Sequence, residues 1–285
     1  MTATRSRFTI SPEEFLERLG EPNLRIVDAS WYLPVQNRDA KAEFASKRIP
    51  GAVYFDIDEI SDKKSVLPHM LPSREEFANA VGEMGISEDS EIVVYDGPGL
   101  FSCARVWWTL TIMGSKDVKI LDGGFDAWQV EGRPVEAGEP AKPSPTTFKP
   151  EFQADRVRSI DDIRKIIRSR VTTILDARPH ARFTGEAPEP RKGLRSGHIP
   201  GSKSLPIDQL VENGKLKNIN DLKAIFDSFS LQHNDPVVTS CGSGVTAAII
   251  TLALETIGHS NNSLYDGSWS EWGQADDAPV AVWNE

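Results

Sequence analysis

The sequence predicts an α/β protein of two tandem domains, each a parallel sheet with helices on both faces. Three observations carry this expectation: landmarks that recur in order along the 285 residues, short β-branched apolar runs alternating with helical patterns, and a proline-rich seam between the halves. The length itself favours two ordinary domains over one large one.

Self-similarity at a fixed period outranks other architectural signals. Ile26-Val27-Asp28-Ala29-Ser30 returns as Ile174-Leu175-Asp176-Ala177-Arg178, and Arg48-Ile49-Pro50-Gly51-Ala52 as His198-Ile199-Pro200-Gly201-Ser202. Ile92-Val93-Val94-Tyr95-Asp96-Gly97 matches Val237-Val238-Thr239-Ser240-Cys241-Gly242. Leu121-Asp122-Gly123-Gly124 with Trp128 matches Tyr265-Asp266-Gly267-Ser268 with Trp272. Each pair lies roughly 145 to 150 residues apart. Chance supplies one such match but hardly four in order, so the chain reads as a tandem duplication.

The apolar runs Arg25–Ala29, Glu91–Tyr95, Val118–Leu121, Thr172–Ala177 and Pro236–Ser240 look like buried parallel strands. Helical patterns lie between them. Ser11–Leu19 opens on a capping serine, with Pro12 in the first turn and Glu14 three residues on, and Ser73-Arg74-Glu75-Glu76 and Ser159-Ile160-Asp161-Asp162 open in a similar way. Trp107-Trp108 stands in an apolar helical pattern and reads as core, whereas Asp62-Lys63-Lys64 reads as a solvated turn. Strands alternating with helices imply a parallel sheet covered on both faces. Prolines 140, 143, 145 and 150 mark a linker without apolar periodicity. The expected division is a first domain at 1–137, a linker at 138–154 and a second domain at 155–285. A fragment starting near Asp155 would then hold a complete α/β unit.

Composition is globular, with 39% hydrophobic and 26% charged residues. The net charge of −10 disfavours nucleic acid as main partner, because binding a phosphate backbone needs clustered Lys and Arg. A local pair of arginines can still attract a small anion. No stretch approaches the roughly 20 apolar residues that span a bilayer, so no membrane partner is expected. Met1–Ile10 carries two arginines but no apolar core, and Glu13 and Glu14 follow at once, which argues against a secretory leader. Two cysteines, Cys103 and Cys241, are too few for a disulfide scaffold. Free thiols in a reducing compartment, the cytoplasm, are the expectation.

The chemistry concentrates after the strand ending at Ser240. Cys241-Gly242-Ser243-Gly244-Val245-Thr246 forms a six-residue loop ahead of the apolar helix Ala247–Ile257. Strand, loop and helix place Cys241 where successive backbone N–H groups and the positive helix end can stabilise an anion. The thiolate is the nucleophilic form of cysteine, so the loop reads as a nucleophile site. Gly242 and Gly244 let the backbone curl tightly, while Ser243 and Thr246 add hydroxyl donors. A lone cysteine at a strand end is commonly structural; this surrounding of glycines and hydroxyls is not. In the first unit the loop reads Asp96-Gly97-Pro98-Gly99-Leu100-Phe101. Aspartate replaces the thiol there and the loop has no hydroxyl, so that half reads as catalytically silent. Cys103, just past the silent loop, reads as a small residue packed in a helix.

The loop resembles that of the mercaptopyruvate-using branch of the two-domain rhodanese family, and the likeness covers nearly the whole chain. His198-Ile199-Pro200-Gly201, Asp122-Gly123-Gly124 with Trp128, and Asp176-Ala177-Arg178 also resemble family signatures. Thiosulfate-specific members carry basic residues inside the loop, and this loop has none. The resemblance implies an enzyme moving sulfur from 3-mercaptopyruvate through a Cys241 persulfide to cyanide or a thiol, such as a reduced thioredoxin-like protein. Related phosphatases use Cys-x5-Arg, in which the arginine grips phosphate bidentately. Here the sixth residue after Cys241 is Ala247, which disfavours that activity.

Carried over residue by residue, the resemblance assigns Arg182 and Arg191 to the substrate's carboxylate and keto group, a task that suits arginine's planar fork. It also sets Asp58 and His69, on a segment reaching over from the silent domain, to work with Ser243. Gly242, Gly244, Val245 and Thr246 would line the substrate. Physically, Asp58 would orient the imidazole and His69 would move a proton through Ser243; a lone loop histidine is otherwise more often at the surface. No metal or organic cofactor is implied, since no His/Cys cluster has ligand spacing. The alternatives are a thiosulfate sulfurtransferase and a non-catalytic module that receives persulfide from a partner.

Overall fold

The computed structural model describes residues 5–232 and 234–282. The first four and last three residues of the expected domains, and the opening of the segment read for a leader, lie outside the described ones. The first half runs β1 (Thr9–Ile10), α1 (Pro12–Arg18), β2 (Leu24–Asp28), α2 (Ala40–Ser46), β3 (Ala52–Tyr54), α3 (Arg74–Glu83), β4 (Glu91–Tyr95), α4 (Ser102–Ile112), β5 (Asp117–Leu121) and α5 (Gly124–Val130). The second runs β6 (Val157–Arg158), α6 (Ile160–Ser169), β7 (Thr173–Asp176), α7 (His180–Thr184), β8 (Lys203–Ser204), β9 (Val211–Glu212), β10 (Lys215–Leu216), α8 (Ile219–Asp227), β11 (Val237–Ser240), α9 (Ala247–Thr256), β12 (Asn262–Tyr265) and α10 (Ser268–Trp272).

The duplication is visible in topology. The first sheet has the order β1-β5-β4-β2-β3 and the second β6-β12-β11-β7-β8, every pairing parallel. The indole N–H of Trp128 donates to Pro134 O at 2.7 Å, and that of Trp272 to Pro279 O at 2.8 Å, so each landmark tryptophan closes the same turn. The helix starts also follow the sequence reading. Ser11 Oγ accepts Glu14 N–H, and Ser73/Glu76 and Ser159/Asp162 form reciprocal capping boxes.

Each sheet has one outer and one inner face. In the first half Ile26, Val93 and Tyr95 turn outward to Phe15, Phe44 and Trp128. In the second, Ile174 and Val238 turn outward to Ile163, Trp269 and Trp272. The alternate residues Val27, Ile92 and Val94, with Leu175 and Val237, turn inward to one cluster that also holds the side chains of α4 and α9. The two halves therefore share a core. Trp107 and Trp108 lie in it, as expected, and α4 packs directly on α9.

Residues 139–153 form no helix or strand, but they are strapped down. Phe148 is buried edge-on against Phe77, Thr146 N–H donates to Gly82 O, and Glu151 and Gln153 donate to the carbonyls ending α4. The short edge strands and the β9–β10 hairpin carried no periodicity that reading the sequence could detect. The hairpin docks on the first half: Gly214 O accepts the N–H groups of Leu100 and Gly123 at 3.1 Å each.

Candidate active site

Cys241 leaves the C-terminal end of β11, the central strand, where β12 lies on one side and β7 on the other. Ligands of open parallel sheets bind at such a reversal of strand order. The start of α10 pins the loop. The carbonyls of Cys241 and Gly242 accept the N–H groups of Trp269 and Ser270 at 2.9 and 2.8 Å, and Cys241 N–H donates to Ser268 Oγ at 3.2 Å. Cys241 is free and buried.

The equivalent loop of the first half repeats this scheme. Asp96 and Gly97 carbonyls accept Phe125 and Asp126 N–H at 2.9 Å each, and the left-handed Gly99 (φ 89°) corresponds to Gly244 (φ 76°). Asp96 Oδ2 collects the N–H groups of Phe101 (3.0 Å) and Cys103 (2.9 Å) and the Ser102 hydroxyl (3.3 Å). The carboxylate marks the point at which this backbone aims its donors, and in the second loop that point belongs to the Cys241 side chain. Burial pushes the Asp96 carboxyl up to about 7 against those donors. Cys103 is fully buried in α4, where burial and then the Asp96 charge push its thiol up. It packs as a core residue.

Two arginines flank the Cys241 loop. A Cβ added at Gly242 would lie 3.3 Å from Arg182 Nη2 and 3.8 Å from Arg191 Nη1, so a side chain there would crowd Arg182 and only touch Arg191. Arg182 comes from α7, and Glu189 holds it through both oxygens. Buried Glu189 also accepts from Arg178 at 2.8 Å, and Arg178 is forked onto Asp176 and lies 4.2 Å over the Trp269 ring. Asp176, Arg178, Glu189 and Arg182 thus form a charge-balanced chain. Arg191 is different: among the described residues its side chain makes one hydrogen bond, to Ser243 Oγ at 3.4 Å. Burial pushes its guanidinium down, the Cys241 charge opposes this, and Arg182 adds to it. Among the described residues Arg191 forms no ion pair.

The other half reaches in as expected. His69 is buried, its Nδ1 3.1 Å from Ser243 Oγ and its Nε2 3.0 Å from Asp58 Oδ1. Trp31 Nε1 donates to the second Asp58 oxygen at 2.8 Å, and its ring stands edge-on to the imidazole. The hydrogen bond from His69 outweighs the opposing effect of burial and holds the Asp58 carboxyl below its usual range. Because that carboxylate only accepts, the geometry assigns a neutral imidazole its proton at Nε2, leaving Nδ1 as the acceptor for Ser243.

A cavity of about 260 Å³ opens over Cys241, Gly242, Ser243, Val245 and Thr246, with Arg182 and Arg191 on one wall and Trp31, Leu33 and Phe101 of the first half opposite. Gly244 departs from the substrate-lining expectation. It sits behind the loop, where a Cβ would come within 2.7 Å of Arg105 Nη1 and 3.0 Å of Asp266 O. The sequence reading gave no role to Arg105, Asp266, Glu189 or Trp31. A lone charge on the otherwise apolar helix carrying Trp107-Trp108 was the available signal for Arg105. Among the described residues no cluster of three or more His, Cys, Asp or Glu side chains could hold a metal ion.

Two α/β halves, one with a buried cysteine loop and one with an aspartate at the equivalent position, define a tandem sulfurtransferase-type fold. The family model described as a rhodanese-like domain matches residues 11–131 and again 159–275, and the chain belongs to that family. It is 43% identical to the 3-mercaptopyruvate sulfurtransferase of Escherichia coli K12 over 265 residues, 93% of this chain and 94% of the relative. It is 41% identical to the mitochondrial thiosulfate/3-mercaptopyruvate sulfurtransferase 1 of Arabidopsis thaliana, covering 92% of this chain and 75% of that one. The crystal structure of SseA from Escherichia coli superposes with a TM-score of 0.85 at 39% identity, over 93% of this chain and 99% of that one. No described helix is long and apolar enough to cross a membrane.

Proposed function

We propose that the chain takes sulfur from 3-mercaptopyruvate onto Cys241 and passes it to a thiol or cyanide, releasing pyruvate. The observation that carries this reading is the uncharged Cys241 loop facing Arg182 and Arg191 on one side and the Asp58–His69–Ser243 chain on the other. A thiosulfate dianion calls for cations inside the loop; an α-keto acid calls for cations beside it. Both named relatives include mercaptopyruvate in their names.

The Cys241 thiolate attacks the donor sulfur. The S–S bond forms as the C–S bond breaks, and its electron pair passes to the enolate of pyruvate. Arg191 holds the carboxylate, and Arg182 stabilises the enolate oxygen, where charge develops. Ser243 takes the donor's thiol proton as it hands its own to His69 Nδ1, and the same relay, reversed through Ser243, returns a proton to the enolate carbon, while Asp58 fixes the imidazole. The persulfide then rests among the loop N–H groups until an acceptor takes the outer sulfur, a thioredoxin-like dithiol fitting that task. We assign the silent domain to 1–137 and the cysteine-bearing domain to 155–285, joined by 138–154. Two free cysteines suit a reducing compartment such as the cytoplasm.

Steady-state assays of the purified chain with both donors test the reading. Mercaptopyruvate should exceed thiosulfate by at least about tenfold in kcat/KM, or about 1.4 kcal/mol. Equal use of the two would overturn it, and turnover only in the presence of a second protein would favour a carrier.

A further inference from the structure

We propose that Arg105 and Asp266 act as a positioning pair that holds His69 in register with Ser243 across the two domains. The inference rests on the reading above, in which Cys241 is the nucleophile and His69 acts through Ser243. Arg105 lies on α4 of the silent half, and Asp266 follows β12 of the other. Both side chains are buried, and Arg105 Nη2 donates to Asp266 Oδ1 at 2.7 Å. The same nitrogen donates to the carbonyl of His69 at 2.6 Å, while Nη1 reaches the carbonyl of Gly244 at 3.4 Å. Asp266 Oδ2 accepts Leu71 N–H at 2.8 Å. Arg105 also lies 4.6 Å over the Trp108 ring, which fixes its plane. One ion pair thus grips both ends of the segment 69–71 and the back of the nucleophile loop.

Two features say that the pair serves geometry. His69 has a φ of 61°, and among the described residues only it and Ser268 combine a left-handed backbone with a buried non-glycine side chain. Such a conformation persists only where the surroundings impose it, and the Arg105 hydrogen bond to the His69 carbonyl is that imposition. Secondly, a buried ion pair is a poor way to stabilise an interface compared with apolar packing, so its retention calls for a specific role. The repeat sharpens the point. Asp122 occupies the equivalent landmark in the silent half, where its ion pair is with Arg5 at 4.0 Å within the same half. Among the described residues, only Asp266 of the two landmark aspartates forms an ion pair with the partner domain. Neither Arg105 nor Asp266 lines the cavity, so the pair acts through His69 and the loop.

The test compares Arg105→Met, Arg105→Lys and Asp266→Asn with the native chain, each also in a His69→Ala background. Single-turnover sulfur loading of Cys241 is followed by intact mass, alongside kcat and KM. Misplacing a positioned group by about an ångström can cost on the order of a hundredfold in rate. Arg105→Met should therefore lower kcat by about 10- to 100-fold while the KM for mercaptopyruvate moves less than about threefold, with Arg105→Lys intermediate. In the His69→Ala background the further loss should shrink to less than about twofold, because residues that act as one unit are not additive. An undiminished loss in that background, or native kcat in the folded variants, would overturn the proposal. If Arg105→Met does not fold, Arg105→Lys and Asp266→Asn decide by the same criteria. A native chain that loads no sulfur on Cys241 would remove the underlying reading as well; one that loads it equally with and without the pair would remove this inference alone.

Discussion

The two cysteines differ by what the backbone does around them. Cys241 ends a strand and enters a loop whose carbonyls are tied outward to Trp269 and Ser270, whereas Cys103 is sealed in α4. Cys241→Ser should abolish sulfur transfer, and Cys103→Ala should retain most of it, with mass spectrometry placing the added sulfur on the Cys241 peptide; sulfur mainly on Cys103 would reverse the assignment. Asp96 offers a second experiment at this scale. Its folded value of about 7 lies above the roughly 4 of a free aspartate. Between those values the folded chain binds more protons than the unfolded one, so this residue's contribution to stability is lost as pH rises from about 4 through about 7. Asp96→Asn lacks that slope. Its melting temperature relative to the native chain should climb between pH 5 and pH 8, whereas parallel curves would mean that Asp96 is ionised in the fold. The difference between Cys241 and Asp96 was legible in sequence because both stand at one repeated landmark. Arg105, Glu189 and Trp31 were not, since their partners lie in other elements and no local pattern joins them.

At the scale of elements, the loop Cys241–Thr246 depends on two glycines with different tasks. Gly242 leaves room for Arg182, and Gly244 takes a left-handed turn with Arg105 and Asp266 pressed against it. Gly244→Ala should cost about 1–3 kcal/mol of stability for the backbone alone and, because the added Cβ meets Arg105, should slow persulfide formation too. Gly258 has a φ of 86° with open space around it, so Gly258→Ala should carry the backbone cost without the loss of rate. Thermal melts with single-turnover loading separate the two, and equal rates in both variants would show that Gly244 matters only for folding. Elements were read well where a periodic run met a cap: Ser73/Glu76 and Ser159/Asp162 open helices at the expected residues. Strands of two residues such as β6 and β8 are too short for periodicity. They exist because the neighbouring strand offers unpaired backbone groups, information that lies elsewhere in the chain.

For the molecule as a whole, duplication predicted two units but not how they share a core. Every residue of α9 from Ala247 to Leu254 is buried, as is nearly all of α4, so each helix covers its own sheet with one side and the opposite half with the other. The unit that begins near Asp155 therefore has all of its strands but lacks part of its covering layer. Removing residues 1–137 would expose large side chains of α9 at about 1.5–3 kcal/mol each. A few of them suffice to offset the 5–15 kcal/mol that holds an ordinary domain folded. The charge pair Arg105–Asp266 would be broken as well, leaving Asp266 without its cation. We therefore expect the 155–285 fragment to be aggregated or molten, with strong dye binding and no cooperative melt. The full chain should unfold in urea as one transition, with tryptophan fluorescence and far-UV circular dichroism coinciding, because the shared core leaves no half able to persist alone. Two separated transitions, or a monomeric fragment melting sharply, would show that the contact between α4 and α9 is dispensable and that the halves fold independently.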